Sequence, residues 1–289
     1  METLSKTIGL RLLRLTLLAL LGGFLCATLV RFAPGYGVDE REVDPRLSHE
    51  SVRQIRNENR LNSNLIAYYG RYLDGAVHGD FGKSQWLQQP VSTLIKERFG
   101  ITARSVLLGV FLAWVFAFGL SLASIFFQSF ALDFSGTLFS GFLIALPTAV
   151  VAIVTVYLRA PVFAAIAVVT FPKLFRYLRN LFAHALEQPY ILAARARGIG
   201  TARIIFGHVL RLCAPALFAL LGISLSLAFG AAIPIEALCD SPGIGQLAWQ
   251  AALNRDLPLI TNLTLLVTLI TVASNSLANV KQEAPCERS

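Results

Sequence analysis

Three features of this 289-residue chain predict an all-α membrane protein with about six transmembrane helices. Hydrophobic residues make up 55% of it and charged ones only 15%, and the mean hydropathy is +0.62, well away from the composition of a soluble domain. The apolar residues fall into long runs separated by short polar links. Arginine gathers on one side of those runs, as it does in the cytoplasmic loops of membrane proteins. That placement accounts for the formal net charge of +8, which in a soluble chain would point to nucleic acid, so no nucleic-acid partner is expected.

The first span is expected at about Leu10 to Val30, headed by Lys6, Arg11 and Arg14, which places the N-terminus in the cytoplasm. The run is longer than a signal-peptide core and has no small-residue cleavage site, so it reads as a retained helix. Residues 1–31 thus form a head and first span, and residues 32–100 a large extracytoplasmic segment too charged to lie in lipid. Residues 101–280 form a core of five further spans, and residues 281–289 a short cytoplasmic tail. The second span is expected at Ile101 to Phe127 and the third at Gly136 to Leu158, kinked at Pro147. A turn at Arg159-Ala160-Pro161 leads to a short fourth span, Pro161 to Phe175. Pro172 should bend it, and the helix should run on through Lys173, Arg176 and Arg179 into the cytoplasm. The fifth and sixth spans are expected at Leu212 to Ile235 and Leu257 to Val280, with a turn at Ser241-Pro242-Gly243 between them. Both termini then lie in the cytoplasm.

Between the fourth and fifth spans lies a basic cytoplasmic loop, residues 187–211, EQPYILAARARGIGTARIIFGHVLR. Ala193-Ala194-Arg195-Ala196-Arg197 favours a helix, and Gly198 supplies the residue that ends one in a left-handed conformation. A second helix follows. From these residues alone, a loop that only sets topology and a rigid cytoplasmic knob are equally good readings.

Catalytic chemistry is missing from the pattern. Gly82-Lys83-Ser84 ends like a phosphate-binding loop, but the first glycine of that motif would fall on Val77. Cys26, Cys213, Cys239 and Cys286 are isolated, without CxxC or histidine at metal spacing, so no metal and no cofactor is expected. The second, third, fifth and sixth spans contain no Asp, Glu, Lys or His, with Glu236 just past an end. A carrier driven by protons or ions usually needs such groups in its spans, so energy should enter from outside the bilayer.

Two helix faces stand out. Gly222, Ser226 and Gly230 recur every four residues in the fifth span and would let another helix approach closely. Thr261, Thr264, Thr268, Thr271 and Asn275 share a face of the sixth. That stripe could line an aqueous path or bond neighbouring helices and backbone carbonyls.

Tyr190-Ile191, Ala193-Ala194-Arg195-Ala196-Arg197-Gly198, His208-Val209-Leu210-Arg211 and Pro215 together resemble the permease subunits of ABC importers, in the dipeptide/oligopeptide/nickel branch. Further matches follow in order along nearly the whole chain. They are Arg31-Phe32-Ala33-Pro34-Gly35, Gly79-Asp80-Phe81-Gly82 with Ser84, Gln89-Pro90-Val91, Pro147, Pro172, and Ser241-Pro242-Gly243-Ile244-Gly245 with Arg255-Asp256. Pro189 and Leu192 depart from the pattern. The resemblance implies a bacterial inner-membrane permease for peptides or a related solute, itself not an enzyme. Its implied partners are cytoplasmic ABC ATPase subunits, a second homologous permease in a heterodimer, an extracytoplasmic solute-binding protein and membrane lipid. The loop would then be a coupling loop. Tyr190 would belong to its ATPase-contacting segment, Ala193, Ala194 and Ala196 would allow close packing, Arg195 and Arg197 would make polar contacts, and Gly198 would make the turn. A non-transporting membrane scaffold or assembly factor that keeps the permease fold stays open beside it.

Overall fold

The computed structural model describes residues 21–22, 24, 28, 70, 74–75, 78–127 and 130–279. Most of the expected first span, much of the segment after it and the tail lie outside the described residues. Among the described residues from Val91 on, nine α-helices follow in order: α1 Val91–Phe127, α2 Phe130–Ala145, α3 Thr148–Tyr157, α4 Val162–Leu186, α5 Pro189–Ala196, α6 Thr201–Ile204, α7 Leu210–Leu238, α8 Ile244–Leu253 and α9 Leu257–Asn279. A π-helical turn, Ile205–Val209, joins α6 to α7. Among the described residues there is no strand, only an isolated bridge between Lys83 and Pro90.

Prolines set several of the starts. Pro90, Pro147 and Pro161 each stand directly before a helix, where their missing N–H removes nothing the helix needs. The stops share another device. Arg159, Gly198, Asp240 and Arg255 have φ between 51° and 74°, and each follows a helix. The next N–H in each case reaches back to the helix: Ala160 to the Thr155 carbonyl at 3.0 Å, Ile199 to Ala194 at 3.2 Å, Ser241 to Glu236 at 3.0 Å and Asp256 to Ala251 at 2.9 Å. These are Schellman closures, and only one of the four uses the glycine that suits the left-handed residue best.

Among the described residues three helices are long and apolar enough to cross a membrane, Val91–Phe127, Thr201–Leu238 and Leu257–Ser276, and a bent pair makes a fourth if counted as one span. The helices differ from the expected spans in two places. The helix that carries the second expected span begins at Val91, ten residues before that span, because Pro90 starts a helix that Lys96, Glu97 and Arg98 do not interrupt. The third is no continuous kinked helix: α2 and α3 meet at 96° across Leu146-Pro147. Pro147 stays in the extended conformation (ψ 140°) with no side-chain cap, so the chain leaves one helix before entering the next. Pro172, by contrast, is buried inside the continuous helix α4.

The chain divides into two units, one of residues up to Phe99 together with Leu247–Leu269, the other of Gly100–Gln246 together with Ile270 onward. In the second unit α7 packs most extensively on α4, and also on α3, while α2 packs on α4. Small residues occupy the contacts. Ala113, Ala117, Ala165, Ala228 and Ala232 are buried, and a Cβ on Gly109 would sit 2.8 Å from the Ile166 side chain. Several large side chains instead point outward, as with Phe111, Phe116, Phe134 and Phe142. Lipid tails are as apolar as a core, so helices in a membrane associate by close approach rather than by hiding large residues. One core cluster gathers Phe175, Leu178 and Phe182 of α4 with Ile191, Ala194, Ile204 and Leu220. A second gathers Val106, Val151, Ile166 and Ile235.

Candidate functional site

The basic loop folds as a small rigid unit. Pro189 is the first residue of α5, the helical position that best tolerates proline. Ile191 and Ala194, three residues apart, share one face and are buried in the cluster that contains Phe182 and Ile204. Gly198, at φ 74°, ends the helix, and a Cβ there would meet nothing within 4 Å. The requirement for glycine is therefore conformational rather than spatial. The Ile199 side chain packs on the cluster that holds Ala194, the apolar contact that accompanies a Schellman closure.

The opposite face of α5 is presented outward. Tyr190 and Leu192 are 46% and 54% exposed, and Ala193, Ala196 and Arg197 are exposed too. A short platform with two large apolar side chains, two alanines and a cation thus stands on a buried footing. Arg195 is part of the same helix; its side chain lies outside the described ones. Behind α5, the chain returns to α7 through α6 and the π turn, where Ile204, Ile205 and Val209 are buried. In the same unit Arg179 of α4 forms an ion pair with Asp133 of α2, whose carboxylate also accepts a bond from the Ser124 hydroxyl at 3.3 Å.

Two polar locks went unread in the sequence. In the first unit Asp256 is buried and caps α9 through the Leu259 N–H at 3.1 Å. Its other oxygen accepts bonds from the Ser84 hydroxyl and, at 3.0 Å, from the Trp86 N–H. The stretch that half-resembles a phosphate loop is thus tied by its serine to the start of α9. Asn262 adds a bond to the Phe81 carbonyl at 2.9 Å. In the second unit the buried Glu236 carboxyl accepts the Gly245 N–H at 2.8 Å and the Thr102 hydroxyl at 3.0 Å, and Thr102 in turn accepts the Ile244 N–H at 2.8 Å. A Cβ on Gly243 would overlap the Glu236 carboxyl, and one on Gly245 would lie 2.6 Å from Ile233 Cα. Close approach explains both glycines of Pro242-Gly243-Ile244-Gly245. The signal that could have found this lock is a lone glutamate ending an apolar helix six residues before Pro-Gly.

The two predicted faces divide. Gly222 is buried, Ser226 is half-buried, and Gly230 is exposed with nothing within 4 Å of a Cβ. On α9, Thr261 is buried and bonds back to the Leu257 carbonyl at 2.8 Å. Thr264 and Thr271 are half-buried, Asn275 is exposed, and the Thr268 hydroxyl would lie 3.5 Å from a Cβ on Gly22.

Known proteins are similar to this chain in sequence. Oligopeptide transport system permease protein AppB of Bacillus subtilis is 25% identical over 268 residues, 82% of this chain and 84% of its own length. Oligopeptide transport system permease protein OppB of Escherichia coli is 27% identical over 263 residues, 83% of this chain and 84% of its own. OppB of Haemophilus influenzae is 27% identical over 275 residues, 87% and 88% of the two chains. Residues 105–284, more than half of the chain and including the whole α5 platform, match the binding-protein-dependent transport system inner membrane component family. The chain belongs to that family.

Proposed function

We propose that this chain is the permease subunit of an ATP-driven importer of di- or oligopeptides, with residues 187–211 as its contact to a partner ATPase. The observation that carries this reading is the α5 platform: Ile191 and Ala194 anchored in the core, Tyr190, Leu192, Ala193, Ala196 and Arg197 turned outward, and Gly198 closing the helix. A helix seated in this way moves with α4 and α7 rather than independently of them. ATP-driven motion of a subunit docked on it would therefore reach the spans. Tyr190 and Leu192 supply apolar contact area, Ala193 and Ala196 let a partner approach closely, and Arg195 and Arg197 offer charge-assisted bonds. The permeases named in the comparisons belong to oligopeptide transport systems, which supports peptides as the solute. The same relationship supports ATPase subunits, a second homologous permease and an extracytoplasmic solute-binding protein as partners. Both termini and α5 would face the cytoplasm.

Gly198→Val tests the coupling. A β-branched residue at φ 74° is strained by roughly 1–2 kcal/mol, enough to open the Schellman closure and tilt α5 from its footing. ATP-dependent peptide uptake into vesicles by the assembled transporter should fall at least about tenfold, as a 1.4 kcal/mol change in a coupling equilibrium would produce, while assembly in the membrane persists. Unchanged uptake would remove α5 from the mechanism and leave a membrane scaffold as the better description.

A further inference from the structure

A cavity of about 310 Å³ opens in the second unit among α3, α4 and α7, lined by Thr148, Thr170, Lys173, Ser226 and Gly230 together with a few apolar side chains. The break at Pro147 makes Thr148 the first residue of a ten-residue helix that has no side-chain cap. The first backbone N–H groups of such a helix have no acceptor within it, and its dipole favours negative charge at that end. Thr170 is 2% exposed, and its hydroxyl has no hydrogen-bond partner. A threonine inside a helix ordinarily bonds back to the carbonyl four residues earlier, as Thr155 does to Val151 at 2.8 Å. Thr170 leaves that bond unmade at the wall of the cavity. A buried hydroxyl without a partner is costly unless something else supplies one. Lys173, less than one helical turn further along α4, is exposed into the same space, and among the described residues it forms no ion pair. Eleven uncharged residues precede it in α4.

The geometry points to a carboxylate-binding site in this cavity, where Lys173, the Thr170 hydroxyl and the amino end of α3 receive the C-terminal carboxylate of a peptide in transit. This rests on the peptide-permease reading for its substrate class. A single ammonium with hydroxyl donors matches one negative charge, and an ionisable side chain among apolar helices characteristically faces a cavity on a transport route. Broken helices whose amino ends receive an anionic group are a recurrent way for membrane transporters to bind one. The volume is at the small end for ligand pockets, so it suits a terminal residue rather than a whole oligopeptide. Gly230 keeps the opposing wall free of side chain, with room for the ligand's apolar part beside Leu227 and Ala231.

Two readouts on the assembled transporter test this. In the first, the four natural cysteines are replaced by alanine, Ser226→Cys is introduced, and labelling rates by a sulfonate and an ammonium methanethiosulfonate of similar size are compared. The sulfonate should react about tenfold faster relative to the ammonium reagent than at an exposed control cysteine. Lys173→Gln should abolish that preference and Lys173→Arg should keep it. Absence of a preference, or its survival in Lys173→Gln, overturns the site. Suppression of the sulfonate reaction by anionic lipid in the vesicles would assign the cavity to a lipid headgroup and also overturn the proposal. In the second readout, uptake of a peptide is compared with uptake of its C-terminal amide, with the same binding protein throughout. Lys173→Gln and Thr170→Val should each reduce the acid-to-amide uptake ratio several-fold. An equal fall for both forms means a structural role only and sinks the proposal. If the wild-type transporter takes up neither form, the peptide reading fails, and the labelling rates still decide whether the cavity selects anions.

Discussion

Glu236 shows how one side chain can set the path of a loop. Its carboxyl gathers the Gly245 N–H and the Thr102 hydroxyl, and Gly243 lies so close that no Cβ fits between them. Gly243→Ala should therefore destabilise the protein by about 1–3 kcal/mol through overpacking. Glu236→Ala should cost a similar amount, because the Gly245 N–H is then left without its acceptor. The two changes share one space, so the double variant should be more stable than the sum of the singles predicts by about 1 kcal/mol or more. Thermal unfolding of the purified protein in detergent measures this cycle. Strict additivity would show that the glycine is needed for some other reason. Asp256 works in the same manner in the other unit, capping α9 with one oxygen and holding Ser84 and Trp86 with the other.

Four of the helices end by one common device, and their sequences fit it unequally. Gly198 adopts its positive φ without steric cost, whereas Arg159 adopts φ 51° against the clash between its Cβ and the backbone. Arg159 is exposed, and its backbone sits in a complete closure, with bonds from Arg159 to Val156 and from Ala160 to Thr155, both 3.0 Å. Arg159→Gly should therefore leave stability unchanged or raise it by up to about 1 kcal/mol, the steric gain being partly offset by a more flexible unfolded chain. A clear fall in the unfolding temperature would show that the arginine side chain itself holds the turn. The ion pair between Asp133 and Arg179 is partly exposed and contributes modestly to the contact of α2 with α4. That contact rests chiefly on close packing, such as that of Gly136 against Phe175.

The distribution of large and small side chains over the whole second unit is that of a protein whose solvent is lipid. Alanine and glycine lie in many of the helix contacts, and Phe111, Phe116, Phe134 and Phe142 face outward, while Phe175 and Phe182 fill the core. In the proposed orientation, Arg176, Arg197, Arg203 and Arg211 would lie on the cytoplasmic side by the bias of basic residues, and the segment that carries Trp86 would be extracytoplasmic. In a chain without its natural cysteines, Tyr190→Cys should react with a membrane-impermeant thiol reagent in inside-out vesicles and be protected in right-side-out ones. Trp86→Cys should show the reverse. Both residues are exposed, so the comparison reads orientation rather than burial. Matching reactivity of the two positions would overturn the orientation.

Composition was enough to identify a helical membrane protein, because the period and length of apolar runs report directly on helices in lipid. Gly198 was equally legible: a strong helix-forming run ending in glycine is a local signal, and the left-handed stop is a local structure. The ordered matches from Arg31 to Asp256 pointed to the family because they are short local motifs, readable one by one along the chain. Pro147 was legible only as a disturbance. A missing N–H announces that a helix is interrupted, but the 96° turn depends on what α2 and α3 pack against. The polar locks could not be read at all. Thr102 meets Glu236 across 134 residues and Ser84 meets Asp256 across 172, and no local periodicity records a partner so far away in the chain. The Thr170 hydroxyl is a further case. Its residue type implies a bond back into its own helix, and the packing of α3, α4 and α7 is what turns it into the wall of a cavity.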